Sequence, residues 1–364
     1  MKNQREVLMT NLLIKEDTCN ANCAYCYRQD AIKFTEPYLY AGSLKEKIDK
    51  MISFANEKFD SPLIRISGGE IFLMSNLREF VEKLLKNHKY VLIQTNGLRI
   101  DKENLKWIIE LKRVFIQVSL DGHTLEMNEY RFNKPEVLKN FLHLIEVLKE
   151  NDVYLELVSV LNNRNMKGFS DFIEYVDGIP GGRNENALKV TPLLIMDKES
   201  FFKPSKNDLK SLDQMIQNYE RFSHILPPKI YLENLNKLLH GEKIKYQCFN
   251  PIATLNMTDD GKIKSCTNVL PERFLNVGDL TKDSPEEVAE KYGKTKFQKL
   301  LLTTKQWFPV CRTCLDFASI YNLYFNDTIS LEELSENNYL YGLPELREQL
   351  KKVKARICLE TMET

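Results

Sequence analysis

The strongest constraint on the fold is an alternation, over residues 7–225, of short apolar runs with longer amphipathic stretches. The runs are rich in valine, isoleucine and leucine and are bounded by turn residues, as buried parallel strands are. Six β–α repeats of this kind predict an α/β protein with a partial (β/α)6 barrel of the TIM type. The predicted strands are Val7–Ile14, Leu63–Ser67, Tyr90–Thr95, Val114–Leu120, Tyr154–Leu161 and Leu188–Ile195.

The stretches between these runs place their apolar residues on one helical face. Ser43 with Glu46 forms a predicted capping box at the first helix, and Ser284 with Glu287 forms another near the end of the chain. In barrels of this type the active site gathers at the C-terminal ends of the strands. The predicted helices of the barrel are Ser43–Phe59, Asn76–Lys86, Lys102–Leu111, Pro135–Lys149, Lys167–Tyr175 and Asp208–Phe222.

The proline pair Pro227–Pro228 marks the predicted end of the barrel, which takes residues 1–226. A small C-terminal domain is predicted over residues 227–330, where Asp259-Asp260-Gly261 indicates a hairpin. A helical tail is predicted over residues 331–364. The elements predicted in these two parts are the helices Tyr231–Leu239 and Leu343–Ile357 and the strands Ile252–Met257 and Lys262–Cys266.

The composition argues against several classes of protein. Lysine plus arginine (51) equals aspartate plus glutamate (51), whereas a dedicated nucleic-acid binder usually carries a basic excess. No apolar run reaches the length of a membrane span, and the start Met1–Arg5 is polar, unlike a signal peptide. Eight cysteines without an export signal favour metal ligands over disulfides, because the cytosol is reducing. We therefore predict a cytoplasmic protein that binds neither nucleic acid nor membrane.

Three cysteines follow the first predicted strand. Cys19, Cys23 and Cys26 have the spacing C-x3-C-x2-C. Three thiolates this close together suit three irons of a cubic [4Fe–4S] cluster and leave the fourth iron open to another ligand. Zinc fits less well, because a structural zinc site normally takes four protein ligands. Half of a zinc site, or a chance spacing, stays open as the alternative.

Four more cysteines lie in the predicted C-terminal domain. Cys248 and Cys266 are joined by the pattern C-x12-G-x4-C, and Cys311 and Cys314 form a C-x2-C pair. Four thiolates complete a site for either a fully ligated [4Fe–4S] cluster or a zinc ion. Cys358, just after the predicted helix Leu343–Ile357, is interpreted as a buried structural cysteine, with a role as hydrogen-atom donor as the alternative.

Four motifs follow the first four predicted strands in order. The cysteine trio is succeeded by Gly68-Gly69-Glu70, then by Gln94-Thr95-Asn96-Gly97, then by Ser119-Leu120-Asp121-Gly122. Taken singly, the last two are ordinary turn sequences. Together, in this order and with an aromatic residue before the last cysteine of the trio, they make residues 10–200 resemble the radical S-adenosylmethionine (SAM) superfamily.

The resemblance implies that the open iron of the trio's cluster binds SAM. Gly68 and Gly69 would then let the backbone approach a ligand closely, since neither has a Cβ. Glu70 would accept a charge-assisted hydrogen bond from the ammonium of SAM. Ser119 and Asp121 would bind the ribose hydroxyls.

The other implied SAM contacts come from different parts of the barrel. Arg131 would form a fork on the SAM carboxylate. Tyr25, Val158 and Val160 would flank the adenine, and Asn96 is a further implied contact.

The second group of cysteines resembles the auxiliary-cluster region called SPASM or Twitch. A full SPASM domain continues with more cysteines after the C-x2-C pair, whereas this chain has only the distant Cys358 after Cys314. The resemblance therefore implies the shorter Twitch form, with one auxiliary [4Fe–4S] cluster that moves electrons. The spacing is also similar to that of the butirosin-biosynthesis alcohol dehydrogenase.

These resemblances imply an enzyme that reductively cleaves SAM to a 5′-deoxyadenosyl radical and abstracts a hydrogen atom from its substrate. A ribosomally synthesised peptide or protein is the favoured substrate. The alternatives are oxidation of a small alcohol, as in the butirosin-type dehydrogenase, and a non-catalytic zinc or iron–sulfur module. The predicted partners are a peptide or small-molecule substrate and a reductant such as flavodoxin or ferredoxin. Because only eighteen residues precede Cys19, recognition of a peptide leader would need either another surface of the chain or a separate peptide-recognition protein.

Overall fold

A computed structural model describes residues 4–26, 28–195, 200–244, 247–267, 275–303 and 308–362. Its main feature is one nine-stranded sheet with the order β11-β10-β9-β2-β4-β5-β6-β7-β8. The strands are β1 (Arg5–Glu6), β2 (Met9–Ile14), β3 (Phe59–Asp60), β4 (Leu63–Gly68), β5 (Tyr90–Thr95), β6 (Val114–Ser119), β7 (Leu155–Leu161), β8 (Leu188–Leu194), β9 (Thr254–Thr258), β10 (Lys262–Lys264) and β11 (Asn276–Asp279).

Helices connect the strands and cover the sheet. Those of the first part are α1 (Gly42–Lys58), α2 (Leu77–Leu84), α3 (Lys102–Leu111), α4 (Pro135–Glu150), α5 (Phe169–Asp177), α6 (Lys210–Gln217), α7 (Tyr219–Phe222), α8 (Lys229–Leu239) and α9 (Asn250–Ala253). The later helices are α10 (Pro285–Lys291), α11 (Lys296–Leu301), α12 (Ala318–Phe325), α13 (Leu331–Asn337), α14 (Tyr339–Gly342) and α15 (Pro344–Met362).

The α/β class and the six β–α repeats are confirmed. The six predicted strands correspond to β2 and β4–β8, and all neighbouring pairs among them are parallel. Strands β2 and β4 are almost entirely buried, as expected where helices cover both faces of a parallel sheet. Their C-terminal ends therefore lie along one edge, where the sequence motifs begin.

The segment after residue 226 continues the same sheet. Strand β9 pairs in parallel with β2 on the side away from β4. The predicted hairpin is confirmed, since β9 and β10 are antiparallel around Asp259-Asp260-Gly261. The cysteines that flank this hairpin are thereby attached to the strand that precedes the first cysteine trio.

One predicted capping box is confirmed, and two other predictions about the helices differ from the structure. The capping box at Ser284 is confirmed, with reciprocal bonds between Ser284 and Glu287. The box at Ser43 is wrong, because α1 begins one residue earlier and its N-cap position is Ala41, which makes no side-chain cap. The predicted helix 208–222 is two helices, α6 and α7, that meet at Asn218.

The terminal helix α15 packs against the start of the sheet. Leu346, Leu350 and Val353 are fully buried on one face. The Nε2 group of Gln349 donates to the backbone oxygens of Val7 (2.9 Å) and Asp60 (2.7 Å). Buried polar groups need such partners, so this side chain fixes the helix to the end of β3 and to the chain between β1 and β2.

Cys358 lies on the opposite side of α15 and is exposed, so its predicted burial is wrong. The buried face continues instead through Ile357, which is 3 % exposed. Across the ranges that the structure describes, no helix is both long and apolar enough to cross a membrane.

We predict that Leu350→Ala lowers the free energy of unfolding by about 2–5 kcal/mol, because it removes a fully buried side chain and leaves a cavity. Urea unfolding followed by circular dichroism measures the change. Lys351→Ala, at an exposed position of the same helix, is the matched control and should change stability little. Equal stability of both variants would show that α15 does not contribute to the core.

Candidate active site

The loop that carries the cysteine trio is held against the end of β4 by direct backbone contact. A Cβ atom on Gly68 would lie 1.8 Å from the backbone oxygen of Ile14, and one on Gly69 would lie 1.9 Å from that of Thr18. The amide of Glu70 donates to the same Thr18 oxygen at 2.9 Å. Only glycine fits at these two positions: Gly68 admits the end of β2 at Ile14, and Gly69 admits the cysteine loop at Thr18.

All three cysteines of the trio line one cavity of about 260 Å³ at the C-terminal ends of the strands. Cys19 Sγ accepts hydrogen bonds from the backbone amide of Ala21 (3.4 Å) and from Asn96 Nδ2 (3.6 Å). Burial raises the pKa of Cys19 to about 11 and also raises the pKa of Cys23. Because burial disfavours a bare thiolate, a cationic ligand such as iron would have to stabilise the charged form here.

Glu70 lies behind the cavity wall and is 1 % exposed. Its Oε1 accepts bonds from the hydroxyl of Thr95 (2.6 Å) and the amide of Phe72 (2.9 Å), and its Oε2 accepts from the amide of Asn96 (2.7 Å). Burial raises the pKa of this carboxyl, and the three donors oppose the rise. A carboxylate has about four acceptor positions, so Oε2 retains one.

The predicted contacts at the ends of the next strands also reach the cavity. Asn96 follows β5, Ser119 ends β6, and Val158 and Val160 lie in β7, and all four line it. Val158 and Val160 lie on the same face of β7, because side chains two residues apart in a strand point to the same side. The structure thus brings these four residues together with the cysteine trio, whatever their roles.

Tyr25, Asp121 and Arg131 form one cluster beside the trio. Asp121 is fully buried, and it accepts hydrogen bonds from the Tyr25 hydroxyl and from the amide of Val160 (3.0 Å). Arg131 Nε lies 3.0 Å from Asp121 Oδ1 as an ion pair, and its Nη1 donates to Cys23 Sγ at 3.9 Å. Tyr25 and Arg131 line the cavity, whereas Asp121 lies behind them.

The four later cysteines form a second group, which meets the same cavity through one member. Cys314 lines it. Burial raises the pKa of Cys314, and the nearby Cys248, Cys266 and Cys311 raise it further by electrostatic repulsion. Cys248 Sγ also accepts a bond from Asn322 Nδ2 at 3.9 Å. The structure therefore gathers the predicted quartet next to the trio's cavity.

Sequence reasoning missed two polar residues near the second group. Asp316 lines the cavity two residues after Cys314, and its Oδ1 accepts from the amide of Ala318 at 3.0 Å. Arg65 lies inside β4, donates to Gln117 Oε1 at 2.9 Å, and stacks 4.1 Å from the ring centre of Phe317. The sequence signal that could have found Arg65 is its charge, which interrupts the apolar run of β4.

Both cysteine groups have donor chemistry that fits iron–sulfur clusters, because soft thiolates select such clusters or zinc. In the described ranges no three His, Cys, Asp or Glu side chains converge closely enough to hold a single metal ion. The trio supplies three sulfur donors on one cavity wall, with amide donors aimed at Cys19. These three cysteines would hold a cluster and leave one of its irons without a protein ligand.

Residues 14–186 match the sequence profile of the Radical SAM superfamily. Together with the parallel sheet and the cysteine loop at its C-terminal edge, this match shows that residues 14–186, a little under half of the chain, form a Radical SAM domain. Members of that superfamily are enzymes that use SAM and a SAM-binding [4Fe–4S] cluster, so both cofactors are implied here.

Several curated proteins are similar to the chain. An uncharacterized protein, MJ0907 of Methanocaldococcus jannaschii, is 27% identical over 301 residues, which cover 78% of this chain and 94% of the relative. The subtilosin biosynthesis protein AlbA of Bacillus subtilis is 24% identical over 161 residues, 43% of this chain and 34% of AlbA. Fe-coproporphyrin III synthase of Methanosarcina barkeri is 28% identical over 166 residues, 46% of this chain and 39% of that enzyme. The chain thus matches well under half of the length of AlbA and of Fe-coproporphyrin III synthase.

Solved structures share the fold over most of the chain. The enzyme anSMEcpe with bound AdoMet and a Cp18Cys peptide has a TM-score of 0.58 at 17% identity, covering 95% of this chain and 99% of that chain. SuiB of Streptococcus suis bound to SAM has a TM-score of 0.55 at 12% identity, covering 85% of this chain and 73% of that chain. At these identities the likeness concerns the fold alone.

We predict that Gly69→Ala prevents the trio from binding its cluster. The added Cβ would overlap the backbone at Thr18 and displace the cysteine loop. Iron per chain after anaerobic reconstitution should fall by about half if two clusters are present. Gly178→Ala is the control, since its Cβ would meet nothing closer than 3.4 Å. Full iron content in Gly69→Ala would mean that the loop does not depend on this contact.

Proposed function

We propose that this enzyme modifies a ribosomally made peptide or protein by radical chemistry started at Cys19, Cys23 and Cys26. The observation that carries the proposal is that the trio and Cys314 line one cavity. A substrate in that cavity would touch both cysteine groups at once. When bound, the cluster and SAM supply the 5′-deoxyadenosyl radical, and the chain's own residues position the reactants and exclude water.

A peptide substrate is supported by what the relatives are. AlbA takes part in subtilosin biosynthesis, and the Bacillus subtilis protein SkfB matures the sporulation killing factor. The solved structures of anSMEcpe and SuiB include complexes with peptides. The porphyrin-related synthase among the relatives makes a tetrapyrrole the second candidate substrate. Oxidation of a small alcohol, as in the butirosin-type dehydrogenase, stays an alternative prediction, which none of these relatives supports.

The residues around the trio have proposed roles that follow their positions. Glu70 lies behind the cavity wall, so we propose that its remaining acceptor position reaches the ammonium of SAM only if that wall opens. Ser119 would bind a ribose hydroxyl, and Val158 and Val160 would offer an apolar surface to the adenine. Asn96 donates to Cys19 Sγ, so we propose that it also orients this cluster ligand.

The remaining predicted SAM contacts differ in whether they line the cavity. Gly68 and Gly69 line the cavity with bare backbone. Arg131 and Tyr25 face the cavity and are available to SAM, whereas Asp121 already bonds to both of them and to Val160. We therefore propose that Asp121 reaches the ribose only if one of these contacts opens.

We further propose that Cys248, Cys266, Cys311 and Cys314 hold an auxiliary [4Fe–4S] cluster. A site with four thiolates leaves no open iron, so its use would be electron transfer. The proposed division into a barrel (1–226), a Twitch-like domain (227–330) and a helical tail (331–364) assigns this site to the second part. A flavodoxin or ferredoxin as reductant, a separate peptide-recognition protein and a cytoplasmic location belong to the same proposal.

Cys23→Ala tests the radical mechanism. We expect it to abolish formation of 5′-deoxyadenosine from SAM under dithionite, because a cluster held by two thiolates loses its defined open iron. Liquid chromatography with mass spectrometry measures the product. Cys358→Ala, which removes an exposed cysteine, is the control and should keep wild-type activity. Undiminished deoxyadenosine from Cys23→Ala would refute the assignment.

Cys311→Ala tests the second site. Wild-type protein should contain about eight iron and eight sulfide per chain, and the variant about four of each, if both sites hold cubic clusters. The variant should still cleave SAM, since the trio is intact, but should not complete the modification of its substrate. About four iron with one zinc in the wild type would make the second site structural. A modified product from the variant at wild-type yield would contradict the electron-transfer role.

A further inference from the structure

The guanidinium of Arg131 is fixed between three groups that belong to different parts of the chain. Its Nε lies 3.0 Å from Asp121 Oδ1, and its Nη1 donates to Cys23 Sγ at 3.9 Å. Its centre lies 5.2 Å from the centre of the Tyr25 ring, within the range of a cation–π contact. The side chain is only 10 % exposed, so the cation has little water around it.

Asp121 is itself held rigidly. Its carboxylate accepts from the Tyr25 hydroxyl and the Val160 amide. Its backbone amide donates to Asn128 Oδ1 at 3.0 Å, and its backbone oxygen accepts from Asn165 Nδ2 at 3.1 Å. The two backbone bonds fix the position of the residue and the two carboxylate bonds orient its side chain, so Oδ1 is presented to Arg131 at a defined place.

We propose that Asp121 and Tyr25 are positioning residues that hold the Arg131 cation against the Cys23 thiolate, and that this contact raises the reduction potential of the SAM-binding cluster. The inference rests on the proposed function, because it needs a cluster on the trio. It adds a role in which Arg131 acts on the cluster before any SAM is bound.

The direction of the effect follows from charge. Reduction adds one negative charge to the cluster, and a nearby cation or a hydrogen bond to a ligand sulfur stabilises the reduced form. The guanidinium is shielded from water, and charges are screened less in such a place than in water. A second cation nearby, Arg164, is different: it pairs with Glu129 at 2.9 Å and is 43 % exposed.

A contact of Arg131 with the SAM carboxylate is compatible with this role but is separable from it. An effect exerted only through SAM cannot appear in protein without SAM. The decisive quantity is therefore the midpoint potential of the trio's cluster in SAM-free enzyme.

The experiment uses the full-length chain with Cys311→Ala as background, reconstituted anaerobically, so that only the trio's cluster is titrated. Redox titration followed by electron paramagnetic resonance gives the fraction reduced. In Arg131→Gln we expect the ratio of reduced to oxidised cluster at a fixed potential to fall about tenfold, which is about 59 mV for a one-electron couple. Arg164→Gln is the matched control and should leave the ratio unchanged. An unchanged ratio in Arg131→Gln would overturn the proposal.

Asp121→Asn separates positioning from simple charge. Loss of a negative charge alone would raise the potential of a nearby cluster. If Asp121 acts by holding Arg131 at Cys23, its amide analogue releases the cation and the potential falls. A fall supports the positioning role, and a rise or no change refutes it.

Iron content keeps these outcomes apart from a failure of the proposed function. A parent protein that binds no cluster on the trio would refute the proposed function itself. If Arg131→Gln alone loses its cluster, Arg131→Lys decides the matter. Lysine keeps the charge but has no planar fork to bridge Asp121 and Cys23, so its potential should lie below that of the parent. A potential equal to that of the parent would overturn the inference.

Discussion

The arrangement of the active site depends on the contact of the Gly68-Gly69 backbone with Ile14, at the end of β2, and with Thr18, in the cysteine loop. Because neither glycine has a Cβ, the loop after β2 lies directly against the end of β4. Glu70 then joins this end to β5 through Thr95 and the amide of Asn96. The ends of three neighbouring strands are thus held in one arrangement, and Cys19 is placed within reach of Asn96.

The pairing of β9 with β2 gives the molecule its second chemical group. It attaches the chain after residue 226 to the strand that leads into the cysteine trio. Cys314 consequently lines the same cavity as Cys19, although the two cysteines are far apart in sequence. Beneath them, the buried Arg65 is bonded to Gln117, which donates to Glu156 at 2.6 Å. These bonds join β4, β6 and β7 beneath the site.

Part of this arrangement follows from local sequence alone. Strand and helix positions were predictable because period-2 and period-3.6 patterns depend on neighbours along the chain. The Ser284 capping box was predictable for the same reason, since its two partners are three residues apart. The Ser43 box and the burial of Cys358 were wrong, because they depend on where a helix begins and on which face it packs.

The sequence by itself determined the chemistry of this protein, because the cysteine spacing, the glycine pair and the positions of the strands along the chain are carried by local patterns. Tertiary structure decided which of those residues meet. Arg131 and Cys23 are 108 residues apart in the chain, and no local pattern pairs them. The burial of Asp121 behind Tyr25, and the meeting of Cys314 with the first cysteines, likewise come from packing between distant segments. Such contacts arise only when the sheet brings the ends of its strands to one edge.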